Sequence, residues 1–99
     1  MPQEEIESGV DTEISEPPKY RVILHNDDYT SMEFVVRVLM DIFGKSSDEA
    51  EALMWRIHEK GSAICGVYTF EIAETKAEQV KMLARQNSFP LLATIEVDE

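Results

Sequence analysis

The sequence predicts an α+β fold: one small sheet covered by helices on one face. Three observations carry this. Short runs rich in β-branched and aromatic residues alternate with stretches whose apolar residues recur at helical spacing, in the order β-α-α-β-α-β. Ninety-nine residues with 43% apolar content allow one small core and no second one. Glycines, helix-capping residues and a Pro-containing break fall between the segments. Periodicity alone leaves strand pairing open between an antiparallel and a mixed three-stranded sheet.

Residues 1–18 read as a flexible acidic N-terminal tail. They hold six acidic residues and no Lys or Arg, and they end in Pro17-Pro18, which neither continues a helix nor donates to a sheet. The folded domain is expected over residues 19–99. Its first strand is Tyr20 to His25. The first helix starts near Ser31. Thr30 with Glu33 has the capping-box spacing, Met32, Val35, Val36, Leu39 and Phe43 mark an apolar stripe, and Gly44 is a natural stop. Ser46-Ser47-Asp48-Glu49 opens the second helix, again with capping-box spacing between Ser46 and Glu49. Ala50, Leu53, Met54 and Ile57 form its buried face, and Lys60-Gly61 ends it. Ala63 to Ile72 has strand composition. Residues 74–87 read as the third helix, with Ala73, Ala77, Val80 and Ala84 close to one face. Asn87-Ser88-Phe89-Pro90 breaks it, and Leu91 to Val97 is the last strand.

Composition narrows the function. The net charge is −11, and beyond residue 18 there are 14 acidic and 9 basic residues with no basic stripe. Phosphate-backbone binding is therefore not expected, and a cationic or peptide partner suits the chain better than nucleic acid or an anionic membrane. No apolar run approaches the ~20 residues needed to span a bilayer, and no basic-then-apolar signal pattern opens the chain. The single cysteine, Cys65, excludes an internal disulfide and an all-cysteine metal site. A cytoplasmic monomer without cofactor or metal is expected.

The stretch Asn26-Asp27-Asp28-Tyr29-Thr30 carries the most chemistry. It sets an amide and two carboxylates between an apolar strand and an amphipathic helix. A primary ammonium offers three N–H donors and a charge, and an Asn carbonyl and carboxylates are matching acceptors. Charge-assisted hydrogen bonds contribute roughly 1.5–3 kcal/mol each, and burying one large apolar side chain about 1.5–3 kcal/mol more. Lost freedom on association offsets much of that, which leaves an affinity on the order of micromolar. The plainer reading is an ordinary turn with an N-cap. An EF-hand does not fit the spacing. His58 stands one helical turn after Met54, and if the two helices pack together, these residues with Met32, Val35 and Ile57 could line one pocket; a core cluster is the plainer alternative. Cys65 and His58 could instead form a nucleophile–base pair oriented by Asp27 or Asp28. The strand setting of Cys65 points rather to a packed thiol, and no nucleophile elbow or phosphate loop is present.

These residues resemble ClpS, the adaptor of the bacterial AAA+ protease Clp, over about Pro17 to Val97. The resemblance rests on Tyr20-Arg21-Val22-Ile23-Leu24, Asn26-Asp27-Asp28-Tyr29-Thr30, Met32-Glu33-Phe34-Val35, Ala63-Ile64-Cys65-Gly66-Val67-Tyr68-Thr69, Ala73-Glu74-Thr75-Lys76 and Pro90-Leu91-Leu92, in that order. It implies an antiparallel three-stranded sheet with three helices, similar to the C-terminal domain of the ribosomal stalk protein. It also implies an adaptor, not an enzyme, that binds substrates beginning with Leu, Phe, Tyr or Trp and delivers them to the ClpA or ClpC unfoldase. A regulator that docks on the unfoldase without reading N-termini is the alternative. By the resemblance, Asn26, Asp27 and His58 hold the substrate α-amine, and Asp28 and Thr30 shape the rim. Met32, Val35, Met54, Ile57 and Leu91 form the apolar pocket, with Met32 as its gatekeeper. Glu71 and Lys76, with Tyr29 nearby, face the unfoldase N-terminal domain. Ser31 departs from a Pro common in relatives, and Ile57 from a Val.

Overall fold

Tyr20–His25 forms β1, the central strand of a three-stranded sheet in which Ser62–Tyr68 (β2) and Leu92–Val97 (β3) flank it. This is a computed structural model, and it describes residues 16–99. Most of the expected acidic tail lies outside the described residues. Met32–Asp41 (α1), Ser47–Lys60 (α2) and Phe70–Gln86 (α3) complete the order β-α-α-β-α-β. Both pairings are antiparallel: Tyr20 faces Tyr68 on one side and Val97 on the other, and His25 faces Ser62 and Leu92. The β1–β2 register slips by one residue between Val22 and Ile23. Cys65 is the extra residue, and alternation from Ala63 past exposed Ile64 turns its thiol into the core.

Alternation builds the interior. Val22 and Leu24 on β1, and Ala63 and Cys65 on β2, share one apolar cluster with buried side chains from all three helices. Phe34, Val35, Val38 and Leu39 come from α1, Ala50, Met54 and Ile57 from α2, and Ala73, Val80 and Ala84 from α3. Phe34 closes one end against Phe89, with ring centroids 4.9 Å apart. Lys76 crosses between elements. Its Nζ donates to the Ile42 carbonyl at the C-terminal end of α1, at 2.7 Å, and lies 5.6 Å from the Tyr68 ring centre.

Two expectations change at helix starts. Thr30 does not cap α1. Ser31 does: it holds extended φ and ψ of −70° and 150°, and its Oγ accepts the Phe34 N–H at 3.1 Å. Thr30 is drawn back by Asp27, so Glu33 has no reciprocal capping role. The helix expected at residue 74 begins at Phe70, and β2 ends at Tyr68. The strand-like composition of Phe70-Glu71-Ile72 is overridden because Thr69 takes the N-cap conformation and its carbonyl receives the Ala73 N–H at 2.9 Å. Phe70 then packs edge-on to Tyr20 at 5.0 Å. Elsewhere the punctuation holds. Gly44 and Gly61 have φ of 67° and 93°, a backbone region that disfavours residues with a Cβ, and the Ser46–Glu49 capping box closes in both directions.

Candidate functional site

The turn after β1 is fixed by its own side chains. The Asn26 N–H donates to the Gly61 carbonyl at 2.8 Å, tying the turn to the end of α2. Asp27 Oδ1 accepts the Tyr29 and Thr30 N–H groups at 2.8 and 2.7 Å, and its Oδ2 accepts the Thr30 hydroxyl at 2.8 Å. Partial burial pushes the Asp27 carboxyl upward, but the hydrogen bonds from Thr30 and Tyr29 outweigh it and hold the group below the ordinary carboxylate value. A carboxylate has about four acceptor sites. The turn occupies three, two on Oδ1 and one on Oδ2, so Oδ2 keeps one for a ligand.

The Asn26–Gly61 tie brings this turn beside the last residues of α2, and a cavity opens between them. Its volume is about 270 Å³, and Asn26, Asp27, Asp28, Thr30, Met32, Val35, Met54, Ile57 and His58 line it. The sequence and the family resemblance together place ten residues at this site. The structure brings nine of them to one hollow. The tenth, Leu91, is buried in the core just before β3 and lines a separate hollow between α3 and β3. Polarity is graded within the cavity. Asn26, Asp28 and His58 are exposed, Asp27 is half-buried, and Val35, Met54 and Ile57 are buried, with Ile57 only 2% exposed. Met32 is 41% exposed and stands at the rim. Acceptors and an imidazole thus lie at the mouth of a space whose remaining walls are apolar.

The arrangement suits a cation carrying a large apolar group. The Asn26 carbonyl, the free Asp27 Oδ2 site and a His58 ring nitrogen are three acceptors for the three protons of an ammonium. Trp55 packs edge-on to His58 with centroids 5.8 Å apart, one turn earlier on α2. It steadies the imidazole, and its i, i+3 spacing was the signal available in the sequence. Tyr29 is 77% exposed beside the cavity, whereas Glu71 and Lys76 lie on α3 and do not line it. No group of three potential metal ligands occurs among the described residues, and no described helix is long and apolar enough to cross a membrane.

Cys65 does not line the cavity. It is 1% exposed, its Sγ–H points to the Ala63 carbonyl at 3.6 Å, and burial pushes its thiol up to about 11. A thiol held protonated in the core is not a poised nucleophile.

Known proteins match this architecture. A family model described as the ATP-dependent Clp protease adaptor protein ClpS matches residues 15–94. The ClpS adapter protein of Desulforapulum autotrophicum is 54% identical over 89 residues, covering 90% of this chain and 86% of that protein. The one from Oleidesulfovibrio alaskensis is 51% identical over 94 residues, covering 95% and 90%. Among solved structures, Agrobacterium tumefaciens ClpS2 bound to L-phenylalaninamide superposes with a TM-score of 0.81 at 42% identity, over 84% of this chain and all of that one. Fold, site and similarity over nearly the whole described chain agree: this protein belongs to the ClpS family of Clp protease adaptors.

Proposed function

We propose that the protein is an N-degron adaptor, which binds substrates by an N-terminal Leu, Phe, Tyr or Trp and delivers them to a Clp unfoldase, ClpA or ClpC. The observation that carries this is the single cavity in which ammonium acceptors stand at the mouth and Val35, Met54 and Ile57 form apolar walls. An N-terminal α-amine has a pKa of about 7.7–8.0 and is mostly cationic at neutral pH. Internal residues present none, so a site that needs both the ammonium and a large side chain reads only the start of a chain. The bound phenylalaninamide of the Agrobacterium tumefaciens relative joins those two features, an α-amine and an apolar ring.

The protein performs no chemistry in this reading. It works as a cytoplasmic monomer without cofactor, and Cys65 is a packing residue. Tyr29, Glu71 and Lys76 belong to the surface offered to the unfoldase N-terminal domain, and residues 1–18 are the segment the unfoldase engages during delivery. Lys76 has a restricted part in that surface, because its ammonium already donates to the Ile42 carbonyl.

A panel of peptides differing only at the first residue tests the reading. Leu, Phe, Tyr and Trp peptides bind at least about tenfold tighter than Ala or Glu peptides, the value of one large apolar side chain in a buried pocket. Equal binding across the panel would leave only a regulator that docks on the unfoldase. Deleting residues 1–17 keeps peptide binding and slows delivery.

A further inference from the structure

Trp55 is the chain's only tryptophan, and it stands on α2 without joining the core. It is 43% exposed, and neither the apolar cluster nor the cavity of the amine site includes it. Its one aromatic partner among the described residues is His58, with ring centroids 5.8 Å apart and ring planes at 82°.

His58 has few other restraints. Its side chain is exposed. Among the described residues the one histidine side-chain hydrogen bond belongs to His25, which meets Thr94. The ion pairs there join Arg21 to Asp98 and Arg37 to Asp41, and none reaches His58. An exposed imidazole turns about two torsions, the second of them broad. Helical side chains lean toward the N-terminus of their helix, so His58 leans back over the residues three and four before it, Trp55 and Met54. Met54 is buried and lines the cavity together with His58, whereas Trp55 does not line it. The indole therefore bounds the imidazole from outside the cavity, through an edge-on contact that is favourable beyond the area it covers.

We propose that Trp55 is a positioning residue for substrate binding. It holds the His58 ring at the mouth of the cavity, so the imidazole is already ordered when an α-amine arrives. Trp55 itself touches no substrate in this account. The inference rests on the first-residue reading above and adds to it a residue outside the cavity.

The test uses the full chain and a labelled Phe-initial peptide with a free amine, titrated by fluorescence anisotropy. Trp55→Ala weakens binding by about two- to tenfold, the cost of ordering one side chain on association. Trp55→Phe restores a ring for edge-on packing and stays within about twofold of wild type. In a His58→Ala background, Trp55→Ala changes affinity by less than about twofold, because the ring it positions is gone. Unchanged affinity in Trp55→Ala, equal losses in the Phe and Ala variants, or the full loss in the His58→Ala background each overturns the proposal. The last result would make Trp55 a direct contact for the substrate. A second measurement needs no variant to fold. Nuclear Overhauser contacts between the indole and His58 ring protons are expected in the free wild-type protein, and their absence overturns the proposal as well. An N-acetylated form of the peptide separates the two readings. If wild type binds it as well as the free amine, the first-residue reading fails and this inference with it. If binding needs the free amine but ignores Trp55, only this inference fails.

Discussion

Thr30-x-x-Glu33 and Ser46-x-x-Glu49 open two successive helices with the same spacing of hydroxyl and carboxylate, and the structure uses them differently. At α2, Glu49 bends back to accept the Ser46 N–H at 2.9 Å while Ser46 Oγ accepts the Glu49 N–H at 3.1 Å. The hydrogen bonds from Ser46 hold the Glu49 carboxyl below its ordinary value. All of that chemistry is directed into the helix it starts. At α1, Ser31 takes the cap, Thr30 turns to Asp27, and Asp27 organises the loop while one acceptor site stays open over an apolar cavity. The cap closes on itself, whereas the turn we propose for binding is over-determined by its own hydrogen bonds and still has an acceptor to spare.

The largest expected effect falls on the proposed binding turn. Asp27→Ala removes both the loop anchor and a charge-assisted acceptor, and it lowers affinity for a Phe-initial peptide by about ten- to hundredfold, read by titration. Ser46→Ala, its counterpart at α2, costs about 1 kcal/mol in denaturant unfolding and leaves peptide affinity unchanged. Comparable binding losses in both variants would erase the distinction. Next is Ile57→Ala, which opens the cavity wall and the core together. It costs about 2–5 kcal/mol of stability, and it weakens Leu- and Phe-initial peptides alike.

Acidity separates the same two regions more gently. The Asp27 carboxyl is held below its ordinary value, so its hydrogen bonds contribute stability that is fully present above the unfolded carboxyl value of 3.8. That stability is lost as pH falls through the lower folded value. The stability gap between wild type and Asp27→Asn therefore closes on acidification below that range, as denaturant midpoints at neutral and strongly acidic pH would report. On the alkaline side, affinity falls by about tenfold per pH unit above pH ~8, as the substrate amine loses its proton. The smallest binding effect belongs to Cys65→Ser. It places a hydroxyl in the core at a cost of about 1–3 kcal/mol and leaves affinity for a Phe-initial peptide as it is.

Much of this was legible before any coordinates. Strong periodicity located α1 and α2, Gly44 and Gly61 marked their ends, and nine cavity residues were named from the turn, the helical spacing and the family resemblance. What escaped was set by side-chain contacts that residue spacing does not show. The choice of Ser31 over Thr30 as cap depends on Asp27 claiming the Thr30 hydroxyl. The early start of α3 depends on Phe70 meeting Tyr20. Leu91 precedes β3, packs into the core and lines the hollow between α3 and β3, a placement that spacing along the chain does not give. Lys76 reads as a surface cation until the end of α1 is seen beneath it.

The central claim is that the turn at Asn26 to Thr30 reads a free chain terminus, where its counterpart at Ser46 only caps a helix. Fluorescence titration of one Phe-initial peptide in two forms, with a free amine and N-acetylated, tests this most directly. The account predicts micromolar binding of the free form and at least about thirtyfold weaker binding of the acetylated form, the loss of an ammonium's charge-assisted hydrogen bonds. Equal affinity of the two forms would contradict it.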